Sequence, residues 1–177
     1  MRESQPDPPR QPGGPQIGAG GFEFRQLQSR DQMGAVRELF LEYARSLGFS
    51  LCFQNFDREL EELPGDYAPP QGRLLVAVSG GRLAGCVALH PLSPAVSEMK
   101  RLYVRPEFRG RGLGRELAER ILGEARSIGY QKLRLDTVEP EMKSAVRLYR
   151  RLGFLEVPPY RSNPIAGALY MELDLDS

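Results

Sequence analysis

The sequence predicts an α/β domain of the α+β kind, with one mixed, twisted sheet of about six to seven strands flanked by about four helices. Three observations carry this expectation. Two β-rich runs flank a Gly-Gly pair, Gly80-Gly81, the signature of a tight antiparallel hairpin. Farther along, a strand-like run, an amphipathic helical stripe and an alternating run follow one another, the order of two parallel strands joined by a helix. The chain has 177 residues, 41% apolar and 27% charged, which suits a single domain with a substantial core.

Residues 1–21 hold Pro6, Pro8, Pro9, Pro12 and Pro15 among scattered glycines, with almost no large apolar side chain. Such a segment buries too little surface to offset its ordering entropy, so a disordered tail is expected ahead of one domain over residues 22–177. Phe22 to Leu27 alternates apolar and polar residues, the period of a half-buried strand. Val36, Leu39, Phe40, Tyr43 and Leu47 keep helical spacing, with Asp31 as candidate cap and Gly48 beyond the end. Phe53, Phe56, Leu60 and Leu63 mark a shorter helix that Pro64-Gly65 stops. Arg73–Val78 and Arg82–Leu89 are the hairpin strands, and Glu98–Val104 is the fourth strand. Leu113, Leu117, Ile121, Leu122, Ala125 and Ile128 form a helical stripe ending at Gly129, and Lys132–Asp136 alternates as the fifth strand. Ala145, Leu148, Tyr149 and Leu152 make a last helix closed by Gly153. Phe154–Val157 and Ala168–Leu175 are the final strands, joined by a stiff Pro158–Pro164 loop.

The chemistry gathers where the fourth strand runs into the third helix. Gly110, Gly112 and Gly114 remove Cβ atoms there, so a ligand can reach bare backbone N–H groups. Those groups lie at the positive end of the helix dipole, and Arg105, Arg109, Arg111 and Arg115 add full charges. The stretch reads as a phosphate cradle. A net charge of +1 gives no global drive toward nucleic acid or an anionic membrane, so the expected ligand is a small anion.

Cys52 and Cys86 are too few for a disulfide framework and form no CxxC unit. His90 is the only histidine and reads as a surface residue before a turn, so no metal site is expected. No apolar run approaches the roughly 20 residues that span a bilayer, and the N-terminal residues lack the basic start and apolar core of a signal peptide. A soluble, cytoplasmic protein is expected.

Three phosphate-binding loops compete for the cradle. A Walker A loop needs G-x-x-x-x-G-K-S/T, and no Gly-Lys-Ser/Thr occurs. A dinucleotide fold needs G-x-G-x-x-G; counting from Gly110 or Gly112 puts the third glycine at Arg115 or Leu117, and both fail. Asp136 alone stands where a ribose-binding acid would sit.

The third option rests on a resemblance. Arg109-Gly-Arg-Gly-Leu-Gly114 matches the R/Q-x-x-G-x-G/A motif of the GNAT-type N-acetyltransferases, between the fourth strand and third helix as in that family. Upstream, Val104-Arg-Pro-Glu-Phe-Arg-Gly110 looks like the usual approach to the motif. Ala145-Val-Arg-Leu-Tyr-Arg-Arg-Leu-Gly-Phe154 resembles the family's A-x-x-L-Y-x-x-x-G-F segment. The likeness covers roughly Phe22 to Leu175 and is similar, in particular, to uncharacterised bacterial-type members carrying the run Glu98-Met-Lys-Arg-Leu-Tyr-Val104.

The resemblance implies acetyl-CoA as cofactor, coenzyme A as product and no metal. It implies a pyrophosphate held by Arg109, Gly110, Arg111, Gly112, Leu113, Gly114 and Arg115, and a pantetheine arm paired with the strand edge at Leu102, Tyr103 and Val104. In the family the fourth and fifth strands splay to place the thioester. By the same analogy Glu98 is the candidate general base, the Leu102 N–H the partner of the carbonyl oxygen, and Tyr149 the acid that protonates the leaving thiolate. Met142 stands where many members have an asparagine that contacts the pantetheine arm. The acceptor is expected to be a small-molecule primary amine lined by Phe56, Tyr160 and Asn163, with no nucleic-acid or membrane partner and with room for a homodimer. A CoA-binding sensor of the same fold and a protein acetyltransferase are the alternatives.

Overall fold

The computed structural model describes residues 16–18 and 20–176; residues 1–15, on which most of the expected tail falls, lie outside them. In chain order the elements are β1 (Gln16–Ile17), β2 (Glu23–Gln26), α1 (Met33–Ser46), α2 (Phe56–Glu62), β3 (Arg73–Ser79), β4 (Arg82–Pro91), β5 (Val96–Val104), α3 (Leu113–Ile128), β6 (Lys132–Val138), α4 (Lys143–Arg151), β7 (Leu155–Val157) and β8 (Ala168–Asp174). The strands form one mixed sheet in the order β1-β2-β3-β4-β5-β6-β8-β7, with β5 and β6 the parallel pair. The expected fourth and fifth strands are therefore β5 and β6. The two-residue β1, paired with Phe24 and Glu23 of β2, adds one strand to the expected count and lies within the segment read as a tail.

Local chemistry explains most boundaries. The β3–β4 hairpin closes with Ser79 opposite Arg82, and Gly80 and Gly81 take φ of 55° and 78°, the positive values a two-residue turn of matching twist requires. Asp31 sits inside a short 3₁₀ turn, Arg30–Gln32, and α1 starts only at Met33. That turn is closed by Gln32, whose Oε1 accepts the Ser29 N–H at 3.3 Å. A second such turn, Cys52–Gln54, precedes α2 and ends at Asn55, whose φ of 54° is one that asparagine tolerates better than most residues.

Alternation along the strands builds a core on each face. Leu75, Val87, Leu89, Met99, Leu133 and Leu135 meet Leu113, Leu117 and Ile121 of α3 and Tyr149 of α4 on one face. Leu74, Val76, Cys86, Ala88 and Tyr103 meet Val36, Leu39 and Phe40 of α1 and Phe56 and Leu60 of α2 on the other. Full burial of each Val, Leu, Ile, Phe or Met side chain among them contributes roughly 1.5–3 kcal/mol, which rigidifies the strands that carry the site. Among the described residues no helix is long and apolar enough to cross a membrane.

Candidate active site

The site begins where the parallel pair comes apart. β5 and β6 pair only at Val96, Ser97 and Glu98, opposite Lys132, Leu133 and Arg134; from Met99 to Val104 the β6-facing edge of β5 carries no strand. The cause lies on the other side of β5. Cys86 pairs with Tyr103 but Ala88 with Lys100, so Arg101 and Leu102 share the place opposite Val87. Such a bulge bends the strand and increases its twist, which carries β5 away from β6.

Arg101 sits in the bulge with φ of 57°, a left-handed conformation that costs a non-glycine residue roughly 1–2 kcal/mol. Its buried side chain offsets that cost. The guanidinium is held by Glu59 through two bonds, 2.8 Å at Nε and 2.6 Å at Nη2, and donates to Gln54 Oε1 at 2.9 Å. It also lies 5.1 Å from the centre of the Phe56 ring. Phe56 itself is buried, so its part in any acceptor wall is as the floor beneath Arg101. Glu59→Ala is expected to lower stability by about 3 kcal/mol by leaving a buried guanidinium short of its counter-ion; thermal melts of the variant check this.

Glu98, the last residue paired with β6, is fully buried. His90 Nε2 lies 2.6 Å from its Oε2, and the Tyr160 hydroxyl donates to Oε1 at 2.7 Å. Arg161 also pairs with Oε1 and reaches Asp136 on β6. Burial works to raise the Glu98 pKa, but the His90 hydrogen bond and the charges of Arg161 and Lys100 outweigh it and hold the carboxyl below its usual value. His90 is therefore part of the site rather than a surface residue: β4 runs on to Pro91 and sets His90 directly opposite Glu98.

Asp136 accepts from Asn163 Nδ2 at 3.0 Å and lies 3.4 Å from Gln54 Nε2. Tyr160, Arg161 and Asn163 thus tie the Pro-rich loop between β7 and β8 to the mouth of the gap. The Tyr170 hydroxyl fixes that loop from below by donating to the Arg161 carbonyl at 2.8 Å. A small cavity of about 30 Å³ remains at the mouth, lined by Tyr43, Gln54, Lys100, Arg101, Leu102, Asp136, Met142 and Tyr149. Met142 accepts a hydrogen bond from Thr137 Oγ1 at 3.4 Å. The Tyr149 ring packs against Phe154, and among the described residues its hydroxyl has no hydrogen-bond partner. Burial first, then Tyr43 and Asp136, pushes its pKa above the ordinary tyrosine value.

At the other end of β5, Gly110 and Gly112 take φ of 75° and 76°, and Gly112 caps α3. Among the described residues, the N–H groups from Gly110 to Arg115 have no backbone partner, as expected at a helix start. Of the four arginines, Arg105 is turned to Glu42, bonded at 2.7 and 2.9 Å. Arg109 donates to the Val104 carbonyl at 2.9 Å and lies over Tyr103. Arg111 reaches the Gly20 carbonyl at 3.1 Å, and Arg115 pairs with Glu119 along the helix. The open edge of β5 thus leads from the cavity that Leu102 and Tyr149 line to the glycine loop that follows the strand.

The sequence points to Glu98, Tyr149 and the glycine loop as candidates, and the structure adds Lys100, Arg101, Gln54, Glu59 and Arg161 around Glu98 and Asp136. Two signals were available. Pairing β4 with β5 across the turn after Pro91 brings His90 opposite Glu98, and alternation places Lys100 on the same face as Glu98.

Residues 34–154 match the Acetyltransferase (GNAT) family. An uncharacterised N-acetyltransferase of Schizosaccharomyces pombe is 45% identical over 139 residues, covering 77% of this chain and 85% of its own. Among solved structures, a GNAT-family acetyltransferase from Staphylococcus aureus Mu50 superposes with a TM-score of 0.73 at 17% identity, covering 87% of this chain and 99% of that one. The spermidine N-acetyltransferase of Vibrio cholerae, in complex with CoA and spermine, gives 0.65 at 22% identity, covering 88% and 96%. The chain belongs to the GNAT acetyltransferase family and is an acetyltransferase.

Proposed function

We propose that the protein transfers the acetyl group of acetyl-CoA to the primary amine of a small-molecule acceptor, with donor and acceptor bound together. The observation that carries this reading is the gap between β5 and β6, open from Met99 onward, with the glycine loop at one end and Tyr149 facing its mouth.

The residues present fit the cofactor. Unpartnered N–H groups from Gly110 to Arg115 suit a diphosphate, with Arg109, Arg111 and Arg115 around them. The edge at Leu102, Tyr103 and Val104, which carries no strand and where Arg109 holds the Val104 carbonyl, suits an extended, amide-rich arm, which binds as an added strand does. Acetyl-CoA, when bound, supplies an activated acetyl thioester. Leu102 offers its N–H toward the carbonyl oxygen. Tyr149 keeps its proton because burial disfavours the phenolate, and an otherwise unpartnered hydroxyl is ready to donate to a departing thiolate. Glu98 has both oxygens engaged, so it draws the acceptor's proton through Tyr160 or a water and not by direct contact. The narrow mouth, roofed by the Tyr160–Asn163 loop, favours a small acceptor over a protein tail.

Thiol release from acetyl-CoA, followed across a panel of primary amines with mass analysis of the products, tests the reading. Saturable release with an N-acetylated product is expected; tight acetyl-CoA binding with no release by any amine would favour a sensor. Gly112→Val tests the cradle. No described atom lies within 4 Å of a Cβ at Gly112, so the added side chain meets open space, yet valine resists φ of 76° and disturbs the loop that presents the N–H groups; thermal melts check that the variant folds. Acetyl-CoA affinity by calorimetry is expected to fall on the order of 100-fold. Undiminished affinity would contradict the cradle.

A further inference from the structure

Two cations of the described residues line the cavity: Arg101, held by Glu59 and Gln54, and Lys100. Lys100 lies on β5 two residues beyond Glu98 and lines the same mouth as Tyr149 and Asp136. Among the described residues its ammonium makes no hydrogen bond and no ion pair. The carboxylates around it are all occupied. Both oxygens of Glu98 are taken by His90, Tyr160 and Arg161. Both oxygens of Glu59 are taken by Arg101 and Tyr67. Both oxygens of Asp136 are engaged by Arg161, Asn163 and Gln54.

The surplus at the mouth is therefore in donors. Arg161 Nε adds another: it is buried and has no hydrogen-bond partner. Lys100, Arg101 and Arg161 balance Glu59, Glu98 and Asp136 before any acceptor enters. A polyamine would bring uncompensated positive charge to a place whose carboxylates are each already paired with a cationic or polar group. An acceptor that carries its own carboxylate leaves the site neutral and gives the Lys100 ammonium its missing partner. Burial first, then Arg101, lowers the Lys100 pKa to about 8, the condition in which an anion at the ammonium is most strongly favoured.

We propose that Lys100, which lines the same cavity as Tyr149 and has no hydrogen-bond or ion-pair partner among the described residues, anchors a carboxylate on the acceptor, so that amino acids are acetylated in preference to polyamines. The inference rests on the acetyl-transfer reading of the same gap.

The test compares each amino acid with the amine left when its carboxylate is removed: phenylalanine with phenethylamine, leucine with isoamylamine, and spermine as the polyamine. Wild type is expected to favour the amino acid in kcat/KM on the order of tenfold or more. Lys100→Met should collapse that ratio toward one, and Lys100→Arg should keep most of it. Thermal melts verify folding, with Lys100→Gln as the substitute if the methionine variant is unstable. Spermine or the decarboxylated amines matching the amino acids in wild type would overturn the proposal, as would a ratio that persists in Lys100→Met. If no amine is acetylated, the transfer reading fails separately, and calorimetry of CoA-loaded protein with N-acetylphenylalanine and N-acetylphenethylamine decides. Tighter binding of the carboxylate ligand, lost in Lys100→Met, supports the anchor; equal binding overturns it.

Discussion

Tyr149→Phe is expected to lower kcat for acetyl transfer by about 100-fold while leaving acetyl-CoA affinity and Tm near wild type. The combination follows from where the hydroxyl sits. The ring belongs to the α3–α4 core and packs on Phe154, and phenylalanine preserves that packing. Tyr149 lines the cavity and its oxygen has no partner among the described residues, so removing that oxygen leaves nothing unsatisfied behind. A loss confined to kcat marks a group that acts on the departing thiolate. An unchanged kcat would assign that proton to solvent and leave Tyr149 a core residue.

Glu98→Ala is expected to cost about 3–5 kcal/mol of folding stability, because Arg161 loses a buried counter-ion and Tyr160 its acceptor. The milder Glu98→Gln carries a pH signature. The Glu98 and Glu59 carboxyls both lie below their usual value of 4.5 in the fold, although burial acts against this; His90 and Arg161 outweigh it at Glu98, and Arg101 outweighs it at Glu59. A folded pKa below the unfolded one means that the ionised form favours the fold. The stabilisation is complete above 4.5 and disappears as pH falls through the lowered values. Wild type should therefore lose Tm steeply on acidification below about pH 4.5, and Glu98→Gln should start lower and fall less steeply. Equal slopes for the two proteins would show that Glu98 is not a source of the acid sensitivity.

The elements that announce themselves in the sequence are those fixed by local chemistry. Gly80-Gly81 permits only a tight hairpin, the Leu113 to Ile128 stripe ends at a glycine with φ of 101°, and a helix between β5 and β6 makes them parallel. The glycine loop is legible for the same reason, since contiguous residues build it. The bulge at Arg101 is not, because no glycine marks it and its strain is relieved by Glu59, which lies 42 positions away in the chain. Tyr160 and Asn163 were legible as rigid loop residues, but their partners Glu98 and Asp136 depend on how the loop folds back over β5 and β6. His90 illustrates the limit most plainly: a lone histidine before a turn reads as solvent-facing until the β4–β5 register sets it against a buried carboxylate.

Amide hydrogen exchange with and without acetyl-CoA addresses the central claim most directly, that the cofactor spans the glycine loop and the open edge of β5. Marked slowing is expected at Gly110–Arg115 and along Leu102–Val104, with β2 and β7 unchanged. Slowing at neither segment, or confined to residues away from the gap, would contradict it.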